Sequence, residues 1–325
     1  MKNYIFNLTE NTTPLLDYMV ENHFEDDIII GEYTKEVFED KEMTIKLTNS
    51  VRGSRVFLLA SAVSPSDIIT LLLALDAVKR SGAKEIIPVL PYFPYARADK
   101  RDSPRGPIGG KLMASMIETA GATSVIAFEL HAAQIEGFFN IPLIHIEGKD
   151  LFYELFGSIF KTEDVILCAP DAGAGKRVEH LIDNINERCK VDLPYVLIHK
   201  TRKAANVVGK MVLIGDVTDK NVFIYDDMGD TCGTVIKAAS LLLEHGARSV
   251  TAMLSHGLFS GDAIEKLHNS ELSHVCISDS LGFKSSPYIS TFSCGELISV
   301  AMYSVINETS YENILKEKLN GEVKA

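Results

Sequence analysis

The chain has 325 residues, 46% of them hydrophobic and 23% charged, which is enough for roughly two domains. That balance is the one that buries a core, and it excludes wholesale disorder, collagen-like repeats and a disulfide-held miniprotein. The net charge of −12 argues against non-specific nucleic-acid binding, which draws on surplus lysine and arginine, yet it leaves room for one local basic cleft.

In chain order, the opening MKNYIFNLTENTT lacks the continuous apolar core of a secretory signal. Apolar runs of strand length then alternate with amphipathic stretches of helix length. The pattern predicts a strand over 56–60, a helix over 67–80, a strand over 85–90, a helix over 107–119 and a strand over 124–130. The most apolar run, 68–75, stops at Asp76, far short of the ~20 residues that span a bilayer. A second series follows: strand 164–168, helix 174–189, strands 195–199, 212–214 and 221–225, helix 234–244, strand 249–254 and helix 262–268. Strands that are continuously apolar are buried on both faces, as in a parallel sheet covered by helices. Their alternation with helices makes the class α/β.

GATSVIAFELH at 121–131 parallels GARSVTAMLSH at 246–256. Each places a helix-ending glycine ten residues before a histidine, and SGA at 81–83 ends another helix just before a strand. Glycine suits the residue after a helix because that position often needs positive φ. Any strand-helix unit can produce such a stop, but the matched histidines favour two related halves. The halves are placed at 1–148 and 149–290, and a helix over 291–306, carrying Leu297, Ile298, Ala301 and Met302, is expected to pack on the first. The tail 316–325 is polar. Five cysteines, Cys168, Cys189, Cys232, Cys276 and Cys294, show no CxxC pair and no metal-ligand spacing, which fits reduced thiols in a cytoplasmic protein.

The sharpest chemical signal is VFIYDDMGDTCGT at 222–234. A buried strand brings two adjacent acids, Asp226 and Asp227, to its carboxyl end. The turn of Asp230, Thr231, Cys232, Gly233 and Thr234 then opens a helix, aiming backbone N–H groups and hydroxyls at one spot where the helix dipole favours an anion. Carboxylates beside such a cradle suit a sugar phosphate. A bare acid pair would read instead as solvated strand-end residues, with Asp230 as a helix cap.

This run resembles the phosphoribosyl-pyrophosphate motif of type I phosphoribosyltransferases and of the ribose-phosphate pyrophosphokinases. NSVRG at 49–53, PYFPYARAD at 91–99, LHAAQIEGFF at 130–139 and PDAG at 170–173 resemble segments of the second group, in the same order, and the likeness runs from about residue 38 to 261. Ordinary phosphoribosyltransferases have one such domain and lack the second and third segments. The resemblance implies two tandem related type I phosphoribosyltransferase-like domains, each a mainly parallel sheet flanked by helices. The first would bind ATP and the second ribose 5-phosphate.

The resemblance assigns Arg97 and Asp99 to ATP, and the always-charged planar guanidinium of Arg97 suits a polyphosphate. It places His131 at the ATP phosphates or their Mg²⁺, with Glu129 standing where the family usually has Asp. In RDSPR at 101–105 the family's loop borders a regulatory nucleotide and phosphate site, and Ser103 and Pro104 depart from its more basic pattern. PDAGAGKR at 170–177 is a strand-to-helix turn in which Asp171 could help hold Mg²⁺. It is no Walker loop, and its Gly-Ala-Gly departs from the family's paired glycines. Lys200 and Arg202 would read alone as a solvated basic turn; the family's Lys-x-Arg pair is assigned to transition-state stabilisation by a closing loop. Phe38, Asp40 and Glu42 match the family's Phe-x-Asp-x-Glu hairpin, whose aromatic can stack on adenine while its acids accept the amino hydrogens. That hairpin completes a neighbouring subunit's site, so the resemblance also implies a homo-oligomer, dimer-based, with a hexamer among its forms. His256 is left without a role, and no nucleic acid or membrane is expected as a partner. The implied reaction is ATP plus ribose 5-phosphate giving 5-phosphoribosyl 1-pyrophosphate and AMP, with the two halves facing each other across the substrates. The alternatives are a phosphoribosyltransferase that consumes that product and a non-catalytic subunit that regulates true synthetases.

Overall fold

Apolar runs without alternation fold as the inner strands of parallel sheets. In the computed structural model, which describes residues 1–25, 27–161, 164–200 and 211–319, the chain divides into two units. One comprises Met1–Ile146, Asp279–Gly282 and Ser293–Ala325; the other comprises Glu147–Ser278 and Phe283–Phe292.

The first unit begins with β1 (Asn3–Asn7), α1 (Thr13–Asn22), β2 (Ile28–Ile30), β3 (Tyr33–Val37) and β4 (Met43–Leu47). It continues through β5 (Arg55–Ser61), α2 (Pro65–Arg80), β6 (Glu85–Tyr92), α3 (Gly109–Ala120), β7 (Val125–Phe128) and β8 (Leu143–Ile146). Six strands form a parallel sheet in the order β2-β1-β5-β6-β7-β8, and β3 pairs with β4 as a separate antiparallel hairpin. Every residue of β5 is buried. Helix α2 starts where Ser64 and Asp67 exchange side-chain and backbone hydrogen bonds and proline occupies the first turn.

The second unit holds α4 (Gly148–Phe156), β9 (Val165–Ala169), α5 (Gly175–Cys189), β10 (Tyr195–Lys200), β11 (Met211–Ile214) and β12 (Asn221–Gly229). It is completed by α6 (Gly233–Glu244), β13 (Ser249–Gly257), α7 (Ala263–His268), β14 (His274–Ser278) and β15 (Ile289–Phe292). Its sheet runs β11-β10-β9-β12-β13-β14-β15, parallel throughout except for β11 on β10. The chain then returns to the first unit as α8 (Gly295–Ile306) and α9 (Tyr311–Leu319). Helix α8 packs against α1, β7 and β8 through a face that includes buried Leu297, Ile298, Ala301 and Met302. The helix expected from 291 therefore starts later, because 291 and 292 finish β15 against β14.

Once β11 and the β3–β4 hairpin are set aside, both sheets share one topology: second strand outside the first, then third to sixth in order. That relation matches β6 with β13 and β7 with β14. The glycine-to-histidine echo joins β7 to β13 instead, so it does not mark equivalent places. His131 lies three residues beyond β7, whereas His256 is buried inside β13. The strings look alike because both follow a left-handed helix stop, Gly121 at φ 129° and Gly246 at φ 88°, and then enter a buried strand.

Candidate active site

In open α/β sheets the ligand crevice opens at the carboxyl ends of the strands, where the order reverses. In the second unit that point lies between β9 and β12. Beyond β9, Asp171 Oδ1 accepts the N–H groups of Gly173 at 2.9 Å and Ala174 at 3.2 Å, a tight turn into α5. A methyl on Gly173 would stand 3.1 Å from that same oxygen, so glycine keeps the turn closed. Asp171 Oδ2 accepts from Lys200 Nζ, the last residue of β10, at 3.3 Å.

Across the crevice, β12 continues through the acid pair to Gly229, so Asp226 and Asp227 sit inside its last turn of pairing rather than at its tip. Asp226 still pairs in register with Leu254, and Met228 with His256. Arg177, in the first turn of α5, places Nη1 3.3 Å from Asp226 Oδ1 and 3.6 Å from Asp227 Oδ1, with all three side chains largely buried. Burial, and then the neighbouring Asp227 carboxylate, push Asp226 well above the usual carboxylate range; Arg177 opposes that shift. Arg177 lies in the PDAGAGKR run, and nothing in the spacing of that run marks it as the partner of the acid pair.

After Gly229 the turn is clamped from the loop beyond β13: Leu258 and Phe259 N–H groups donate to Gly229 O, and Ser260 N–H donates to Asp230 O. The residue before α6 is Cys232, in left-handed conformation at φ 57°, and its side chain does not cap the helix. Asp230 lies two residues earlier, so it is not the cap. The first N–H groups of a helix have no partner within it, and a methyl on Gly233 would meet nothing within 4 Å. Thr231, Cys232, Gly233 and Thr234 thus frame an open helix start that the Cys232 side chain does not cap. The Cys232 thiol is pushed up to about 12 by burial and by Asp230, so it stays protonated and contributes shape rather than a nucleophile.

In the first unit the corresponding reversal point lies between β1 and β5, and the protein itself fills it. Thr9 Oγ1 accepts from Ser61 N at 3.1 Å, Asn11 Nδ2 donates to Ser61 O at 3.0 Å, and Ser61 Oγ donates to Ser280 O at 2.5 Å. The segment Asp279–Gly282 presses in so closely that a methyl on Gly282 would overlap Asn11 O. The residues expected to meet ATP gather farther along the sheet, beyond β6 and β7. Buried Asp99 accepts from Gln134 Nε2 at 2.7 Å, tying the 91–99 segment to the short 3-10 helix Ala133–Phe138. Phe93 meets Phe139 edge-on at 5.8 Å, Gly110 N–H donates to Ala98 O, and Lys111 Nζ donates to Phe138 O at 2.6 Å. The two motifs and the start of α3 therefore form one cluster. Arg97 is exposed on it and His131 is half-buried. Gln134 lies within the LHAAQIEGFF motif, and nothing in the spacing of that motif marks it as the partner of Asp99.

Phe38, Asp40 and Glu42 lie at the tip of the β3–β4 hairpin. Phe38 N–H donates to Glu42 O, Glu42 N–H donates to Asp40 Oδ1 at 3.0 Å, and Phe38 is 44% exposed. Arg202 lies outside the described residues. Among those described, no three His, Cys, Asp or Glu side chains gather into a metal cage, and no helix is long and apolar enough to cross a membrane.

Two tandem α/β units, one with an acid pair leading into an open helix start, define the type I phosphoribosyltransferase-like class. Residues 5–121 match the N-terminal domain of ribose phosphate pyrophosphokinase, and 184–316 match the phosphoribosyl synthetase-associated domain. Ribose-phosphate pyrophosphokinase 4 of Saccharomyces cerevisiae is 42% identical over 248 residues, 75% of this chain and 74% of that protein. The ribose-phosphate pyrophosphokinase of Porphyromonas gingivalis is 40% identical over 255 residues, 78% and 80% of the two chains. The crystal structure of phosphoribosylpyrophosphate synthetase from Mycobacterium smegmatis superposes with a TM-score of 0.86 at 30% identity, covering 95% of this chain and 100% of that one. The chain belongs to the ribose-phosphate pyrophosphokinase family.

Proposed function

We propose that this chain transfers the β,γ-diphosphoryl group of ATP to the 1-hydroxyl of ribose 5-phosphate, releasing AMP. The observation that carries the reading is the juxtaposition in the second unit of the Asp226–Asp227 pair, held by Arg177, with the open start of α6. The carboxylates accept the ribose hydroxyls, while the backbone N–H groups of the 230–234 turn take the 5-phosphate. The sugar's O1 attacks the β-phosphorus: the O1–P bond forms, the bond from the bridging oxygen to the β-phosphorus breaks, and AMP carries away that oxygen as O1 loses its proton.

Lys200, Arg202 and Arg97 supply positive charge to the phosphates as negative charge shifts in transit, and His131 serves the triphosphate from the first unit. Catalysis of this kind rests on alignment and electrostatics. Asp171 fits Mg²⁺: it is a hard-oxygen ligand, 40% exposed, with one oxygen held by its own turn and the other facing Lys200. Asp171 and His131 would each serve as a ligand for the ion, which would supply charge neutralisation at the phosphates. The hairpin tip, with its exposed aromatic, supports a homo-oligomer in which Phe38, Asp40 and Glu42 meet the adenine of a neighbouring subunit's ATP. We place the protein in the cytoplasm.

The test is AMP release from ATP with Mg²⁺, with and without ribose 5-phosphate. Sugar-dependent AMP is expected; its absence would leave a phosphoribosyltransferase that consumes the product. A regulatory subunit without activity would be expected to have lost the loop bases or the acid pair, and Lys200, Arg202, Asp226 and Asp227 are all retained.

A further inference from the structure

The segment that presents His131 leaves the sheet in an unusual way. Glu129 N–H makes the last rung on β8, donating to Ile146 O at 2.8 Å, and Glu129 itself adopts φ 41°, a left-handed conformation that residues with side chains seldom take. The chain thereby turns the next N–H, that of Leu130, away from the run of carbonyl acceptors. It donates instead to the ring of His145, with Leu130 N 3.1 Å from Nε2. A ring nitrogen that accepts carries no proton, so the single proton of the neutral imidazole belongs on Nδ1, where Glu136 Oε1 lies 2.7 Å away.

His145 is 11% exposed in its side chain and sits on β8, the edge strand that pairs with β7. It grips one segment at two places: the residue before His131, and Glu136 of the 3-10 helix. That helix also carries Gln134, which binds Asp99. One imidazole thus fixes the backbone from which His131 projects relative to the Arg97–Asp99 segment.

We propose that His145 is a positioning residue for His131, acting through Leu130 N–H. The inference rests on the reading of this cluster as a triphosphate site. The sugar-phosphate residues belong to the second unit, so loss of His145 is expected to change turnover and ATP use and not the affinity for ribose 5-phosphate.

The test is AMP release by three variants alongside thermal unfolding of each. In His145→Gln the side-chain amide oxygen reaches the place of Nε2 and still accepts from Leu130. In His145→Asn the amide nitrogen stands near Nδ1 and keeps Glu136, but the side chain is too short for Leu130. His145→Ala keeps neither. Misplacing a reacting group costs roughly tenfold to a hundredfold, so Ala and Asn are expected to lower kcat by that much with the KM for ribose 5-phosphate unchanged, while Gln stays within a few-fold of the unaltered chain. A Gln variant as slow as Ala, or an Asn variant as fast as the unaltered chain, overturns the proposal. If Ala does not fold, the Gln–Asn contrast decides. Nitrogen-15 NMR of the unaltered protein gives a readout independent of the reaction: His145 must appear as the Nδ1–H tautomer, and an Nε2–H ring overturns the inference. If the unaltered chain releases no AMP at all, the proposed reaction falls and the NMR result alone judges His145.

Discussion

Arg177 reaches both carboxylates of the acid pair, and its effect there is electrostatic. Burial and Asp227 drive Asp226 toward its neutral form, and Arg177 pulls it back. A carboxylate accepts ribose hydroxyls better than a carboxylic acid does, so Arg177→Ala, which lets Asp226 rise further, should move the acid limb of activity to higher pH. KM for ribose 5-phosphate, measured from about pH 6 to about pH 9, is expected to worsen most at the acid end and to recover partly at the alkaline end. A uniform loss across that range would mean that Arg177 only packs. Lys200 faces the other acid, Asp171, at 3.3 Å. Lys200→Ala is expected to cut turnover by about 10²–10³-fold, the scale of a missing transition-state donor, with ribose 5-phosphate binding nearly intact by calorimetry. Weakened sugar binding with turnover spared would reverse that assignment.

At the scale of elements, the start of α6 is the feature on which sugar-phosphate binding depends. Gly233 lies in the helix with open space where a side chain would go, so Gly233→Ala should cost the folded chain nothing, since alanine is the better helix former. The added methyl would project into the space in front of the helix's first N–H groups. The expected result is an unchanged or slightly raised Tm with a KM for ribose 5-phosphate increased by about tenfold or more; a fall in Tm with KM unchanged would count against an anion cradle. This element was legible in sequence because VFIYDDMGDTCGT joins a buried apolar strand, an acid pair and a helix-opening turn in thirteen consecutive residues. The longer strands and helices from residue 56 onward were legible for a similar reason: β5 and β6 are apolar through most of their length, and glycine stops punctuate them. Shorter pieces were not. The four residues of β8 include His145, and β14 opens on His274, so neither presents an apolar run. The partners that hold the site, Arg177 on Asp226 and His145 on Leu130, are brought together by sheet order rather than by spacing along the chain, and no local pattern announces them.

For the molecule as a whole, the first unit is built from three separate stretches of chain, and its second stretch is only four residues long. Those residues occupy the reversal point between β1 and β5, which explains why the motifs assigned to ATP lie beyond β6 and β7. Asp279 anchors the stretch: its carboxylate accepts from Ser293 Oγ at 2.6 Å and from Cys294 N at 2.9 Å, at the start of α8. Burial raises its pKa more than these hydrogen bonds lower it. The sign of the consequence follows. Between the ordinary carboxylate pKa of about 3.9 and the raised value, the folded chain keeps a proton that the unfolded chain has released, so stability falls as pH rises through that window and is level above it. The amide introduced by Asp279→Asn has no such proton to release, while its oxygen can still accept from Cys294 N–H and its nitrogen can donate to Ser293. The variant is therefore expected to gain on the unaltered chain as pH rises from about 4 to neutrality, by a few degrees of Tm, since 1 kcal/mol moves a unit of this size by about 2–4 °C. Thermal melts of both proteins at matched pH values check it: a gap in Tm that does not change with pH would show that Asp279 is ionised in the folded chain as readily as in water, and that burial is not what governs it.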